Sequence, residues 1–263
     1  MKILDKKSVI ITGSATGLGF ATAKECLANG AYLTLVDNSE EKLDKAIDEL
    51  KKEYPDAKIL KVIADVSVEK EVKDYVDKAM ETYGRIDGLY NNAGIEGKQA
   101  SIVEYDIEIF KKVIDINLMG VYYGLRYVLP IMTEQGYGRI VNVASVGGIR
   151  GVMNQIPYVA SKHAVTGMTK NAALEYAKNG ISTNAIAPGA ILTPMVEKAF
   201  EQINPDDPQK AEDDYAKDNP TKRLGRPEEV ANVVVFLLSE KCSYVNGQII
   251  AIDGGQSHSY GSV

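Results

Sequence analysis

Cysteine and histidine are scarce in this chain of 263 residues, which has two of each. Cys26 and Cys242 are too few for a disulfide framework, and together with His163 and His258 they make a poor set of metal ligands. We therefore predict no metal site, and we expect His258 to be exposed to solvent rather than to act as a ligand.

Long apolar runs and an excess of positive charge are also missing. No apolar stretch approaches the roughly 18 residues that a membrane helix needs. The start, MKILDKKSVIITG, lacks the apolar stretch and small-residue cleavage site of a secretory signal. A net charge of −6 argues against nucleic acid or an anionic membrane as a partner. These absences predict a soluble protein of a reducing compartment, the cytoplasm.

Short β-branched runs alternate along the chain with longer segments of helical period. The runs lie at 8–12, 31–37, 57–65, 85–94, 138–145, 181–189 and 248–253. Intervening helices of ten or more residues imply right-handed βαβ units and a parallel sheet that is covered on both faces. The sequence therefore predicts an α/β protein, a Rossmann-type doubly wound parallel sheet of seven strands, in one domain that spans residues 1–263.

One stretch, at about 192–226, departs from the composition of the rest because it is polar, acidic and contains prolines. It follows the sixth strand and is too short for a domain. Its position suits a mobile substrate flap over a site at the carboxyl edge of the sheet. A plain solvated loop is the alternative.

A glycine-rich turn, TGSATGLG, joins the first strand to the first helix. Gly13, Gly17 and Gly19 follow a G-x3-G-x-G pattern. Glycines let the backbone approach a pyrophosphate, which then lies at the positive N-terminus of the helix. A tight βα connection would look similar, but the position of the turn in an alternating α/β chain favours dinucleotide binding.

Asp37 closes the second strand, about 20 residues beyond the glycines, where a carboxylate can accept hydrogen bonds from the adenosine ribose. The same charge would repel a 2′-phosphate by on the order of 4 kcal/mol at about 4 Å. Position 14 is Ser14 and position 38 is Asn38, so neither supplies a cation. We therefore predict NAD rather than NADP as the cofactor.

A tyrosine and a lysine four residues apart, Tyr158 and Lys162, share one face at the start of a long predicted helix. Ser145 precedes them at the end of the fifth strand, on the same edge of the sheet as the glycine turn. Tyr54 and Lys58 have the same spacing, but they straddle Pro55 and lack such neighbours. The surroundings favour Tyr158 and Lys162 as the functional pair.

The chemistry that fits this pair is transfer of a hydroxyl proton alongside hydride transfer to or from a nicotinamide. The ordinary pKa of tyrosine, about 10, is too high for a base at neutral pH. We expect the ammonium of Lys162 and the positive charge of the nicotinamide to lower the pKa of Tyr158. Ser145 can hydrogen-bond the substrate oxygen.

Together, TGSATGLG, NNAG, Ser145 and YVASK occur in an order that resembles the short-chain dehydrogenase/reductase family, from about residue 5 to 257. The resemblance implies a catalytic tetrad of Asn117, Ser145, Tyr158 and Lys162, in which Asn117 holds a water of a proton relay. It implies cofactor contacts from Gly13, Thr16, Gly17, Leu18, Gly19, Asp37, Asp65, Val66, Asn92, Ala93, Gly94, Tyr158, Lys162, Pro188, Gly189, Ile191 and Thr193.

Three of these positions have structural alternatives. Asn92 would serve equally well as a link between strands, Asn117 as a helix kink or cap, and Ser145, taken alone, as a strand-end cap.

The substrate pocket is expected to involve the GIEGKQ loop (94–99), the residues after Ser145, and the flap. We predict substrate contacts from Ser145, Asn154, Gln155, Tyr158 and Met195. A compact, mostly apolar pocket suits a small cyclic or branched alcohol or ketone. The stretches NNAGIEGKQ and GIRG resemble the levodione reductase branch of the family, which acts on a cyclic diketone.

Two other functions are open alternatives. One is reduction of a 3-oxoacyl thioester on acyl carrier protein, which would normally use NADPH and a basic docking surface. The other is a non-catalytic NAD-binding regulatory protein, although none of the tetrad is replaced. The resemblance also implies a homotetramer built on the helices at about 103–135 and 156–179 and on the C-terminal strand, while the residues leave dimer and tetramer open.

Overall fold

The protein, as a computed structural model, is described over residues 2–258; residues 259–263 of the tail lie outside the described part. Within it, seven strands form one sheet. They are β1 (Ser8–Thr12), β2 (Tyr32–Asp37), β3 (Ile59–Ile63), β4 (Gly88–Asn91), β5 (Gly138–Val143), β6 (Ile181–Pro188) and β7 (Ile249–Ile252). Their order is β3-β2-β1-β4-β5-β6-β7, and every neighbouring pair is parallel. The predicted seven-stranded, doubly wound sheet is confirmed.

Helices cover both faces of this sheet. Over the described residues they are α1 (Gly17–Ala28), α2 (Glu40–Glu53), α3 (Glu69–Tyr83), α4 (Ile107–Ile114), α5 (Gly120–Gln135), α6 (Ile156–Tyr176), α7 (Pro194–Ile203), α8 (Pro208–Asp218) and α9 (Pro227–Leu238). Buried side chains of α1, α2 and α9 belong to one core cluster, whereas those of α3, α5 and α6 belong to a second. Helices therefore lie on both faces, as the alternation of elements predicts.

The alternation of side chains in β1 shows how the sheet separates the two cores. Val9 and Ile11 are buried in the first cluster, while Ile10, between them, is buried in the second. Successive strand residues point to opposite faces. Because both faces are covered, the strand is apolar along its whole length instead of alternating with polar residues.

The polar stretch at 192–226 is more ordered than its composition indicates. It contains α7 and α8, and each helix has a proline at its first turn. Thr193 and Asp207 cap these helices by accepting hydrogen bonds from backbone N–H groups. The segment is thus a helical pair and not an irregular loop, and its motion as a flap remains a prediction.

A π-helical turn, Asp115–Met119, joins α4 directly to α5. Such turns insert an extra residue into a helix and often occur at functional sites. Asn117 lies at the centre of this turn and is fully buried. None of the helices within residues 2–258 has the length and apolar character needed to cross a membrane.

Candidate active site

One large cavity opens at the carboxyl edge of the sheet, around the point where β1 and β4 lead to opposite sides. Its volume is about 330 Å³. A crevice at this reversal of strand order is where open α/β sheets bind ligands. The cavity lining includes most of the predicted site residues, namely Gly13, Thr16, Gly17, Leu18, Asp37, Asp65, Val66, Asn92, Ala93, Gly94, Ser145, Tyr158, Lys162, Pro188, Gly189, Ile191, Thr193 and Met195.

Four predicted residues do not line this cavity. Gly19 and Asn117 lie behind its wall, and Asn154 and Gln155 lie outside it.

The glycine turn has the close packing that such a cradle requires. Gly13 has φ of +61°, and a Cβ there would lie 2.9 Å from the Cα of Ala93. A Cβ at Gly19 would lie 2.1 Å from the carbonyl oxygen of Gly13. Gly19 therefore acts through helix packing: it lets α1 approach the end of β1, while Gly13 and Gly17 form the lining.

Asp37 is held in place at the end of β2 by two backbone donors. Its Oδ2 accepts a hydrogen bond from the N–H of Ala15, and its Oδ1 accepts one from the N–H of Ser39, each at 3.0 Å. Lys42, on the first turns of α2, lines the same part of the cavity. A cation is therefore available near Asp37, although positions 14 and 38 supply none.

Asn92 connects the end of β4 to the end of β1 through hydrogen bonds. Its Nδ2 donates to the carbonyl oxygens of Thr12 and Gly13, both at 2.9 Å, and its backbone N–H donates to Thr12 Oγ1 at 3.0 Å. The structural alternative for Asn92 is thus present, and the residue also borders the cavity. The side chain of Asp65 also makes structural hydrogen bonds, because its Oδ1 accepts from both the N–H and the hydroxyl of Ser67.

Lys162 is fixed beside the catalytic edge from the first turns of α6. Its side chain is buried, and its Nζ donates to the carbonyl oxygen of Val143 at 2.7 Å. The Nζ lies 5.6 Å from the centre of the Tyr158 ring. Burial lowers the pKa of Lys162 to about 8, so the ammonium form still predominates at neutral pH.

Tyr158 and Ser145 lie close together beside Gly147. A Cβ at Gly147 would lie 3.5 Å from Tyr158 Cε1 and 3.6 Å from Ser145 Oγ. Burial raises the pKa of Tyr158 to about 12, while hydrogen bonding with Ser145 lowers it and the charge of Glu96 raises it. In the polypeptide by itself, loss of solvation outweighs the favourable contacts, and a lowering of the Tyr158 pKa by a bound nicotinamide stays a prediction.

Ser145 also caps the short 3₁₀ turn Val146–Gly148, since its Oγ accepts from the N–H of Gly147 at 3.1 Å. It lies two residues beyond the end of β5 and lines the cavity. The capping bond uses the oxygen as an acceptor, so the hydroxyl proton can donate to Tyr158 or to a substrate oxygen.

Asn117 lies behind the cavity wall and makes hydrogen bonds to a residue of that wall. Its Oδ1 accepts from the N–H of Ile95 and its Nδ2 donates to the carbonyl oxygen of the same residue, both at 2.8 Å. The Nδ2 also donates to Ser161 Oγ at 3.3 Å. A Cβ at Gly94 would lie 3.1 Å from Asn117 Oδ1 and 3.6 Å from Lys162 Nζ, so these two groups are close neighbours. Asn117 thus lies in a kinked, π-helical turn, as its structural alternative supposes. Its part in a proton relay stays a prediction.

Three predicted substrate residues have different positions. Met195, at the start of α7, lines the cavity. Asn154 is exposed and has a left-handed backbone with φ of +61°, and its carbonyl oxygen accepts from the N–H of Ala100 at 3.0 Å. Gln155 donates its side-chain amide to Glu96. The turn before α6 thus contacts the 95–100 loop through the backbone of Asn154 and the side chain of Gln155, and neither residue lines the cavity.

Two charged residues near the site were not predicted. Lys42 lies one turn into α2, where the even spread of lysines gives no signal. Glu96 lies in the GIEGKQ loop, and its burial raises its pKa to about 7. The GIEGKQ loop is expected at the substrate pocket, but a sequence cannot show the burial of a single glutamate within it, so Glu96 was not singled out.

The cavity fits a dinucleotide in three respects. Backbone glycines replace side chains at the turn into α1, the helix N-terminus faces the same space, and Asp37 presents a fixed carboxylate at the end of β2. These groups would hold the pyrophosphate and the adenosine ribose. Lys162 would hold the second ribose.

A family model described as enoyl-(acyl carrier protein) reductase matches residues 13–257. Levodione reductase of Leifsonia aquatica is 52% identical over 252 residues, which cover 96% of this chain and 94% of that protein. The crystal structure of levodione reductase superposes with a TM-score of 0.96 at 52% identity, covering 97% of this chain and 99% of that one.

Two further relatives differ in the activity their names state. The 3-oxoacyl-(acyl-carrier-protein) reductase FabG of Thermotoga maritima is 43% identical, covering 96% of this chain and 98% of that protein. Cyclohexanol dehydrogenase of Acinetobacter sp. strain SE19 is 40% identical, covering 95% of this chain and 94% of that protein.

Proposed function

Because the chain belongs to the short-chain dehydrogenase/reductase family and is an alcohol/ketone oxidoreductase, we propose that it uses NAD(H) to interconvert a small cyclic or branched secondary alcohol and its ketone. The observation that carries the proposal is the shared cavity. Ser145, Tyr158 and Lys162 line the same space as the glycine turn and Asp37.

Each catalytic side chain has a distinct task in this proposal. Tyr158 exchanges the hydroxyl proton with the substrate oxygen, and its raised pKa keeps it protonated at neutral pH, ready to donate during ketone reduction. Ser145 donates its hydroxyl proton to the same oxygen when substrate is bound and orients it. Lys162 contributes positive charge close to the Tyr158 ring, which favours the phenolate when the proton leaves. NAD, when bound, supplies the hydride acceptor or donor.

The choice of NAD over NADP rests on Asp37. Both of its oxygens are fixed by backbone N–H groups, so the carboxylate cannot turn away from a 2′-phosphate. Like charges about 4 Å apart repel by on the order of 4 kcal/mol at an effective dielectric near 20. Lys42 works in the opposite direction, but it lies on the exposed side of α2, where solvent screens it.

Relatives of both kinds bear on the substrate. The names levodione reductase and cyclohexanol dehydrogenase support a small ring compound. The FabG relative keeps reduction of a 3-oxoacyl thioester on acyl carrier protein as the second candidate. Asp37 and the net charge of −6 disfavour that candidate, because NADPH and an acidic carrier protein would both be repelled.

We also propose a cytoplasmic homotetramer. Ile107 of α4, Tyr122 of α5 and Leu174 of α6 are exposed by 67%, 40% and 83%, which supports burial of these helices between subunits. Cys26 and Cys242 are buried and unpaired, which suits a reducing compartment. Sedimentation at several protein concentrations would test the assembly.

The test of the function measures NADH and NADPH oxidation with cyclic ketones, branched ketones and an acetoacetyl thioester, comparing wild type with Tyr158→Phe. We expect turnover of a cyclic ketone with NADH and a loss of at least a thousandfold in the variant. NADH binding, followed by fluorescence, should persist in the variant. Turnover of the thioester with NADPH alone would contradict the proposal, as would an active Tyr158→Phe protein.

A further inference from the structure

The C-terminal end of the described chain lies against the candidate active site. Strand β7 ends at Ile252, and the turn that follows it, residues 253–258, lies at the same edge of the parallel sheet as the cavity. Asp253 shapes this C-terminal turn, because its Oδ1 accepts from the N–H of Gly255 and its Oδ2 accepts from the N–H of Ser257. The C-terminal turn is therefore an ordered part of this edge.

One side of the C-terminal turn packs behind the cavity wall. Gly189 lines the cavity, and a Cβ there would lie 2.9 Å from Asp253 Cβ and 3.2 Å from Gln256 Oε1. The N–H of Gly189 donates to the carbonyl oxygen of Ile252 at 3.0 Å. Arg150, in the loop after β5, donates from Nη1 to the carbonyl oxygen of Gln256 at 3.4 Å. The C-terminal turn is thus attached to the fixed wall of the site.

The other side of the C-terminal turn holds α8, the second helix of the flap (192–226). Tyr215 Oη donates to Gln256 Oε1 at 2.8 Å and accepts from Nε2 of the same amide. Asn219, which follows α8 and is buried, donates from Nδ2 to the carbonyl oxygen of Asp253 at 3.0 Å. A Cβ at Gly254 would lie 2.7 Å from Asn219 Oδ1, so the two segments are in close contact.

Tyr215 also contacts α7, whose start forms part of the cavity wall. Its ring meets the ring of Phe200 edge to face, with the centroids 5.8 Å apart, and Phe200 is buried. Thr193, which caps α7, lines the cavity. A Cβ at Gly17 would lie 3.4 Å from Thr193 Cγ2, so the start of α7 lies against the glycine turn. A chain of contacts therefore leads from Gln256 through Tyr215 and Phe200 to the cofactor end of the cavity.

Backbone hydrogen bonds join the two ends of the flap. The N–H of Leu192 donates to the carbonyl oxygen of Gly225, and the N–H of Gly225 donates to that of Ala190, both at 3.0 Å. A further hydrogen bond, from the N–H of Gln99 to Gln202 Oε1 of α7, is exposed to solvent. The bond between α8 and the C-terminal turn is partly buried. It is therefore better protected from competing water than the contact with the 95–100 loop.

We propose that the C-terminal turn is a latch for the flap: Gln256 holds Tyr215, and Tyr215 keeps α7 closed over the dinucleotide through Phe200. Tyr215 and Gln256 are then positioning residues that set the rate at which NAD(H) leaves, because the flap must open for the cofactor to pass. Product release or lid opening limits kcat in many enzymes. This inference rests on the proposed function, since it requires a dinucleotide in the cavity.

The first experiment measures NADH release by stopped-flow fluorescence in wild type, Tyr215→Phe, Gln256→Ala and the double variant. Tyr215→Phe keeps the ring against Phe200 and removes only the hydroxyl. We expect each single variant to release NADH about three to ten times faster, which is the effect of one neutral hydrogen bond. The double variant should release NADH no faster than the faster single variant, because both changes break the same bond.

Two matched variants serve as controls. Gln256→Glu keeps an acceptor for Tyr215 Oη and should release NADH within about twofold of the wild-type rate. Tyr244→Phe makes the same chemical change at a fully exposed tyrosine and should release NADH as wild type does. Release from Gln256→Glu as fast as from Gln256→Ala would contradict the role of the hydrogen bond.

Trypsin cleavage of the protein without cofactor is the second measurement. Lys210 and Lys217 lie on α8, where cleavage requires the helix to open locally. We expect Tyr215→Phe and Gln256→Ala to be cut there about three to ten times faster than wild type. Urea unfolding is measured alongside, because a bond that served stability alone would lower the midpoint without changing either rate.

The outcomes separate the latch from the proposed function. If either rate is unchanged in both single variants, the latch is overturned, whatever happens to the urea midpoint. Additive effects in the double variant would overturn it as well. If wild type binds no NADH, the proposed function fails, whereas the hold of the C-terminal turn on the flap stands or falls with the cleavage rates.

Discussion

Asn117 hydrogen-bonds both backbone groups of Ile95: its Oδ1 accepts a hydrogen bond from the N–H, and its Nδ2 donates one to the carbonyl oxygen, each at 2.8 Å. The clamp runs from the π-helical turn that joins α4 to α5 to the loop that follows β4. Since Gly94 and Ile95 line the cavity, the position of the cavity wall depends on this one side chain. Asn117 therefore has a positioning function, whatever its part in proton transfer.

Replacing Asn117 with alanine should lower both stability and activity. The change leaves the N–H and carbonyl oxygen of Ile95 without partners, which costs about 2–4 kcal/mol of unfolding free energy for the two groups. We expect urea unfolding at a lower midpoint and a kcat reduced at least tenfold, because the 95–100 loop loses its anchor. A variant with wild-type stability and lower kcat would instead assign Asn117 a purely chemical role.

Exchanging Asp37 for asparagine should weaken the preference for NAD. The neutral amide keeps an acceptor for one of the two backbone donors but no longer repels a 2′-phosphate. We expect the NAD/NADP ratio of kcat/KM to fall at least tenfold. Steady-state kinetics with both cofactors measures this ratio.

Lys42 provides the matched control for that experiment. Adding Lys42→Ala to the Asp37→Asn protein should remove part of the gained NADP activity, because the lysine lines the same end of the cavity. The effect should shrink in high salt, since the ammonium is exposed. An unchanged NAD preference in Asp37→Asn would show that another group reads the ribose.

Much of this site is predictable because each motif lies at the carboxyl end of a strand, and a parallel sheet brings those ends to one edge. The apolar runs predict the strands, and the strands bring Gly13, Asp37 and Ser145 together. Asn154 was predicted as a substrate contact but does not line the cavity, because its left-handed backbone redirects the turn before α6, and no pattern encodes that φ value. The burial of Glu96 depends on two amides that approach from 3 and 59 residues away.

Secondary structure was least predictable where composition and capping conflict. The stretch 192–226 is polar and contains prolines, which favours a loop. Those prolines lie at the first turns of α7 and α8, where the missing N–H does no harm. The sequence signal for both helices was therefore a capping residue followed by proline, Thr193-Pro194 and Asp207-Pro208.

Gly19→Ala should destabilise the fold and weaken cofactor binding together. Its Cβ would lie 2.1 Å from the carbonyl oxygen of Gly13 and 2.8 Å from Asn92 Nδ2, so α1 must move away from the sheet. We expect a loss of about 1–3 kcal/mol in unfolding free energy and a weaker Kd for NADH. Gly167→Ala is the control, because no atom lies within 4 Å of that Cβ on α6. It should be neutral or gain about 0.5–1 kcal/mol; equal effects at both glycines would contradict the packing argument.

Glu96 should make the stability of the protein fall between about pH 5 and pH 8. Its pKa is about 7 in the folded chain against an ordinary value of 4.5, so over this range the folded state binds more protons than the unfolded state. Stability then decreases as pH rises, and the penalty is complete only above the folded pKa. Glu96→Gln cannot ionise and should escape this penalty. We expect the variant to gain on the order of 1–3 kcal/mol relative to wild type between pH 5 and pH 8, measured by urea unfolding at both values. A constant difference between the two proteins across this range would show that Glu96 does not titrate there.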